Sequence, residues 1–223
     1  MNLIALETST EYCSLAVSRG VRVFARSFHA GQRHSELALP ALRELMREAG
    51  LGMADIEGVT YGAGPGSFTG LRIACGLAQG LALAHDLPVL GVSTLLALAE
   101  SAGSDSVIAC LDARMGEVYH AVYQKRVDDW MEIHAPGVYS PVAVPLIEGA
   151  GWVGCGSGFA LHGGILQQRL GSAIARIDAA ALPDAASMLR LAMPRFQRGE
   201  RGDAADAVPL YVRDKVALKA SER

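Results

Sequence analysis

The stretch YGAGPGSFTGLR, Tyr61 to Arg72, decides how the chain folds. Four glycines and Pro65 follow a short apolar run and lead into LRIACGLAQGLALAH, Leu71 to His85, which is apolar nearly all round. The small residues Ala74, Gly76, Ala78, Gly80, Ala82 and Ala84 are spread through it. Strand, glycine corner and helix in that order predict an α/β layer. The corner exposes backbone N–H groups at a helix N-terminus and could hold an anion. However, no Lys-Ser/Thr pair follows as in a P-loop, and the glycine spacing is not GxGxxG. Composition therefore favours a structural corner over a ligand loop. A helix this apolar needs cover on more than one side. It could be buried wholly within its own domain; the favoured reading puts the sheet on one side and a partner protein on the other.

Upstream, Leu3 to Leu6, Ser14 to Val17 and Val21 to Phe28 have the β-branched or alternating character of a three-stranded antiparallel meander. From Ser35 to Ala49, Leu37, Ala41, Leu42, Leu45, Met46 and Ala49 recur at helical spacing, with Ser35 a candidate N-cap and Gly50 a stop. A strand is expected at Gly58 to Tyr61, another at Val89 to Val92, and a helix from Leu95 to Ser101. The small, polar run SAGSDS, 101–106, marks a boundary between a first lobe, 1–103, and a smaller second lobe, 104–223. The same order then recurs: strands at Val107 to Leu111, Gly116 to Gln124 and Trp130 to Ile133, a short helical turn within Pro141 to Ile147, and a strand at Trp152 to Gly154. A helix at Leu161 to Leu170, a strand at Ala175 to Ile177 and a helix from an N-cap at Asp184 to about Gln197 follow. Two rounds of this pattern predict two ribonuclease-H-like lobes. The final helix could pack back toward the first lobe, and the chain after about Val216 is expected to fray.

With 223 residues and 51% hydrophobic content the chain can bury a sizeable core, so disorder is excluded. A net charge of −3 argues against a protein that grips a nucleic-acid backbone by itself. Any contact with RNA is expected to be indirect. Cys13, Cys75, Cys110 and Cys155 are far apart, without a CxxC pair, and read as buried reduced thiols. The N-terminus lacks the basic region and length of a signal peptide, and Arg72 and Gln79 interrupt the longest apolar stretch. A cytoplasmic protein with no membrane contact is expected. The dispersed histidines form no HxxxH pair, so no metal site is expected.

Glu7-Thr8-Ser9-Thr10 closes the first strand, and Asp112-Ala113-Arg114 closes the first strand of the second half. Actin-like ATPases place carboxylates at such strand ends near phosphate and a hydrated metal ion. Glu7 could equally hydrogen-bond the hairpin, and Asp112 could pair with Arg114. The turn GCGSG, Gly154 to Gly158, could cradle a phosphate or adenosine or be a plain strand-to-helix turn. Glu7, Thr8, Asp112 and Gly156 are thus the candidate residues for an ATP or ADP cleft. No cofactor is otherwise expected.

The segments ALETST, HSELALPAL, GPGSFTGLRI, LDARMGEVY and PLYVR, in this order and spacing, resemble the TsaB (YeaZ) family over essentially the whole chain. The resemblance implies an actin-like ATPase fold and a non-catalytic, dimerising role in forming N6-threonylcarbamoyladenosine at position 37 of tRNAs that read codons beginning with adenine. It also implies partners: a TsaD-type catalytic paralogue, a TsaE-type ATPase that joins the pair, and a homodimer when the chain is alone. In the paralogue a metal-binding HxxxH helix follows the strand after the glycine-rich turn. Here Thr94 and Leu98 occupy the two histidine positions, and neither replaces an imidazole. The interface is expected on the helices Ser35 to Ala49 and Gly70 to His85, with Leu42, Leu71, Ala74 and Ala78 as contacts.

Overall fold

The computed structural model describes residues 1–127 and 129–212. The expectation for the chain after Val216 lies outside the described residues. Strands β1 (Leu3–Glu7), β2 (Tyr12–Arg19) and β3 (Arg22–His29) form the antiparallel meander, and helix α1 (His34–Ala49) follows. Then come β4 (Gly58–Gly64), α2 (Phe68–His85), β5 (Val89–Ser93) and α3 (Thr94–Ser101). The second round has β6 (Ser106–Asp112), β7 (Val118–Arg126), β8 (Asp129–Tyr139), β9 (Trp152–Cys155), α4 (Ser157–Leu170), β10 (Ile174–Asp178) and α5 (Ala185–Gln197).

The first sheet runs β3-β2-β1-β4-β5 and the second β8-β7-β6-β9-β10. In each, an antiparallel meander supplies the first three strands, and the fourth and fifth add parallel to the first. Both sheets therefore share one connectivity, and the fold is actin-like, built from two ribonuclease-H-like lobes. Strand β1 is buried at all five residues, because helices cover both faces of its sheet.

Local chemistry explains the element ends. Ser67 caps α2 by accepting from the Gly70 N–H at 3.3 Å, which starts the helix at Phe68, earlier than its apolar periodicity. Helix α1 begins at His34 and not behind a Ser35 cap. Its first turn is held by the Arg33–Glu36 ion pair at 2.6 Å, and Gly50, at φ 67°, ends it in the left-handed conformation. Strand β8 runs on to Tyr139 through Pro136, which an edge strand tolerates because no ladder bond is lost. Helix α4 starts at Ser157, four residues before the expected Leu161, and has a non-helical residue at His162. Of the expected turn within Pro141 to Ile147, a 3-10 turn forms at Pro141–Ala143.

Asp184 caps α5, its Oδ1 accepting from the Ser187 N–H at 2.7 Å. The helix returns to the first sheet, where Met188, Leu189, Ala192 and Phe196 pack on Leu3, Ala5 and Ala16. Helices α1 and α2 cover the opposite face through Leu42, Leu45, Ala74 and Ala78. Helix α3 joins the sheets: its Leu95, Leu98 and Ala99 share a core with Val107, Ala109 and Leu111 of β6 and Ala121 of β7.

Candidate functional site

The inward face of α2 is not where a partner can touch. Leu42, Leu71, Ala74 and Ala78, expected as interface contacts, have between 0% and 3% exposure and belong to the chain's own interior. This corrects the expectation: an inward stripe of small residues lets the helix sit close to its own sheet. The outward face has a different set of residues. Phe68, Arg72, Gly76 and Gly80 recur every four residues and are exposed, as is Leu83 at 80%. Side-chain carbons built at Gly76 and Gly80 would meet nothing within 4 Å. On α1, Leu39, Pro40, Arg43 and Arg47 face outward. Arg26 of β3 pairs with Glu44 at 2.7 Å and also with Glu48, which holds α1 against the sheet edge.

The glycine-rich turn closes on the loop after β1. The Ser67 N–H donates to the Ser9 carbonyl at 2.7 Å, and Thr8 Oγ1 donates to the Gly70 carbonyl at 2.7 Å. A Cβ at Gly70 would overlap the Thr8 carbonyl oxygen, and one at Gly66 would stand 2.7 Å from the Ser9 Cβ. These glycines allow backbone to approach backbone, so the turn is a corner. Glu7 lies beneath it at 1% exposure. Its Oε1 accepts from the Ser9 N–H at 2.6 Å, while Oε2 has no hydrogen-bond partner among the described residues. Burial pushes the Glu7 carboxyl up to about 7; the Ser9 bonds oppose this and the Asp184 charge adds to it.

Glu7 and Thr8 are buried under the turn. Gly156, at φ 97°, is packed so closely that a Cβ would overlap the Cys110 carbonyl oxygen and stand 2.6 Å from the Leu98 side chain. Its N–H donates to the Asp178 carbonyl at 3.1 Å. Asp112 accepts from the Arg114 N–H at 2.9 Å and pairs with the Arg114 guanidinium at 3.2 Å. Arg114 also reaches Glu11 of the first lobe at 3.6 Å. Of these four residues, Glu7 alone has a buried side-chain oxygen, Oε2, without a hydrogen-bond partner among the described residues.

Thr94 and Leu98 are both fully buried at the start of α3 and in its middle. Leu98 fills the space over Gly156, and the Thr94 hydroxyl has no hydrogen-bond partner among the described residues. No group of three His, Cys, Asp or Glu among the described residues could hold a metal ion. The donor set thus does not fit a metal centre. The four cysteines are unbridged and buried. No helix among the described residues is long and apolar enough to cross a membrane.

The model of the TsaD family, described as tRNA N6-adenosine threonylcarbamoyltransferase, matches residues 28–221. The chain is 36% identical over 228 residues to the tRNA threonylcarbamoyladenosine biosynthesis protein TsaB of Escherichia coli, covering 98% of this chain and 97% of that protein. The chain belongs to the TsaB family. The TsaB protein of Haemophilus influenzae is also 36% identical, over 98% of this chain and 96% of its own length. Among solved structures, YeaZ from Pseudomonas aeruginosa superposes with a TM-score of 0.87 at 37% identity, covering 94% of this chain and 99% of that one. This TsaB-family chain therefore shares its architecture along nearly its whole length with these relatives. It also matches the transferase family, although it has Thr94 and Leu98 in α3.

Proposed function

We propose that this chain is a non-catalytic accessory subunit of N6-threonylcarbamoyladenosine synthesis. It dimerises with a TsaD-type catalytic paralogue and so supports transfer to adenosine 37 of tRNAs reading codons that begin with adenine. The N-terminal lobe, 1–103, carries the dimerisation helices, and the smaller lobe, 104–223, completes the fold. Alone, the chain pairs with itself through the same surface; a TsaE-type ATPase joins the assembled pair, and tRNA is reached through the partners. This reading places the chain in the cytoplasm and away from membranes.

The observation that carries the proposal is the outward row of α2. Exposed Gly76 and Gly80 offer bare backbone to open space beside half-buried Ile73, Leu77 and Leu81 and exposed Leu83. Small residues at such spacing let another helix approach closely, and large apolar neighbours make that approach favourable. One self-complementary patch serves both a homodimer and a pseudo-symmetric pair with a paralogue of the same fold. The relatives named as threonylcarbamoyladenosine biosynthesis proteins support the pathway.

Gly80→Arg tests it. The variant places a long charged side chain where the fold leaves room, so folding is retained. Co-purification with the paralogue is expected to fail. An intact complex with the variant would remove α2 from the interface.

A further inference from the structure

Beyond Gly76, the outward row of α2 continues to its N-terminus and meets the segment 207–211. The Arg72 guanidinium lies 3.3 Å from the Phe68 ring centroid and 5.2 Å from that of Tyr211. The two rings stand 6.3 Å apart, and Phe68 and Tyr211 are 53% and 51% exposed. Val208 and Leu210, also exposed, extend the apolar surface around them. Three bonds fix this segment to the body. The Gln79 side-chain amide donates to the Ala207 carbonyl at 3.1 Å, the Tyr61 hydroxyl to the Val208 carbonyl at 3.2 Å, and the Leu210 N–H to the Ala63 carbonyl at 2.7 Å. Gly64 makes room for it, since a Cβ there would stand 2.8 Å from the Leu210 carbonyl oxygen.

We propose that Phe68, Arg72 and Tyr211 form an anchor that the catalytic paralogue grips with an acidic side chain, so that the interface runs from the α2 face onto that segment. The inference rests on the accessory-subunit reading above. Arginine and aromatic side chains, pre-positioned and partly stripped of water, are the groups that dominate binding energy at protein interfaces. Arg72 donates through Nη1 to the Phe68 carbonyl at 3.1 Å. None of the ion pairs among the described residues uses Arg72. Its stacked guanidinium therefore presents donors to an incoming carboxylate at little cost in side-chain entropy. The site continues a row of glycines suited to a second helix, and the chain carries a net charge of −3, which favours a protein over a nucleic-acid occupant.

The test is the affinity of the full chain for the purified paralogue, measured at low and high salt for wild type, Tyr211→Ala, Arg72→Ala, Arg72→Glu and Gly80→Arg. Circular dichroism and thermal melts on each variant establish folding. Tyr211→Ala and Arg72→Ala are expected to weaken the complex at least about tenfold, and Arg72→Glu more than either. Wild-type affinity is expected to fall with salt, and Arg72→Ala to flatten that dependence, a readout that loss of packing alone would not produce. If Gly80→Arg disrupts the complex while the Arg72 and Tyr211 variants bind as wild type, the anchor is wrong and the accessory reading stands. If all the variants bind as wild type, both fail. Unchanged protein affinity with loss of tRNA from the complex would make the site a nucleic-acid contact and overturn the proposal.

Discussion

The Glu7 carboxylate lies against the bare backbone of Gly62, where a Cβ would overlap Oε2. A strand that ends in a buried acid needs such a gap in the neighbouring strand, and β4 supplies it. The acid holds the loop after β1 through the Ser9 N–H, at the cost of a carboxyl driven up to about 7 by burial.

This gives a signed pH dependence. The folded value is above the ordinary 4.5, so the folded chain binds more protons than the unfolded chain between those two values. Stability is therefore expected to fall as pH rises through that window, by up to about 3 kcal/mol from this group. Glu7→Gln should flatten the slope. Urea unfolding of both proteins across the window checks it, and parallel pH profiles would contradict the assignment.

Glu100 acts in the opposite sense. Its carboxylate accepts from Lys125 at 2.9 Å, the Trp130 indole at 2.8 Å and Arg190 at 2.7 Å, joining α3 to the β7–β8 hairpin and to α5. Burial tends to raise this carboxyl, but the three bonds together outweigh it and hold it below the ordinary value. Its contribution is present above the unfolded value and lost as pH falls through the folded one, outside the Glu7 window. Glu100→Gln is expected to cost about 1–2 kcal/mol at neutral pH and to blunt acid destabilisation. Unchanged melting at neutral pH would show that the junction does not depend on this carboxylate.

Two glycines of the second lobe should respond oppositely to alanine. Gly156→Ala forces a Cβ onto the Cys110 carbonyl at a positive φ and should destabilise by about 2 kcal/mol or more. Gly164→Ala lies within α4 with nothing within 4 Å and should stabilise by about 0.5–1 kcal/mol. Thermal melts in the same order for both would contradict the packing of the β9–α4 turn.

The thiols should be silent in the native state. Burial pushes Cys13 up to about 12 and Cys75 up to about 11, and raises Cys110 and Cys155 further. Alkylation is expected to modify all four only after unfolding. Fast labelling of the native chain would contradict this.

Much of the fold was legible in the sequence because periodicity reports directly on burial. The meander, the α1 stripe and the Asp184 cap are local signals, and two copies of one element order predicted two lobes of one topology. What sequence could not show was direction. In α2 nearly every face is small and apolar, and only the charge of Arg72, four residues before Gly76, separated Gly76 and Gly80, which face out, from Ala74 and Ala78, which pack inward. A charge placed at Ala74 or Ala78 would therefore unfold the chain before it tested a partner. The Arg72 anchor was hidden for a different reason: Phe68 and Tyr211 are far apart in sequence, and only the packing of residues 207–211 brings them together. Glu7 and Asp112 matched a strand-end pattern, but whether such groups face a cleft or their own backbone depends on how closely the glycine turn packs.

The proposed accessory role requires that this chain support a transferase carried by its partner. Its most direct test is the rate of tRNA threonylcarbamoylation reconstituted from the paralogue and the ATPase with no added chain, with wild type, and with Gly80→Arg. Fast modification is expected with wild type and little in either of the other reactions. Equal rates in all three reactions would contradict it.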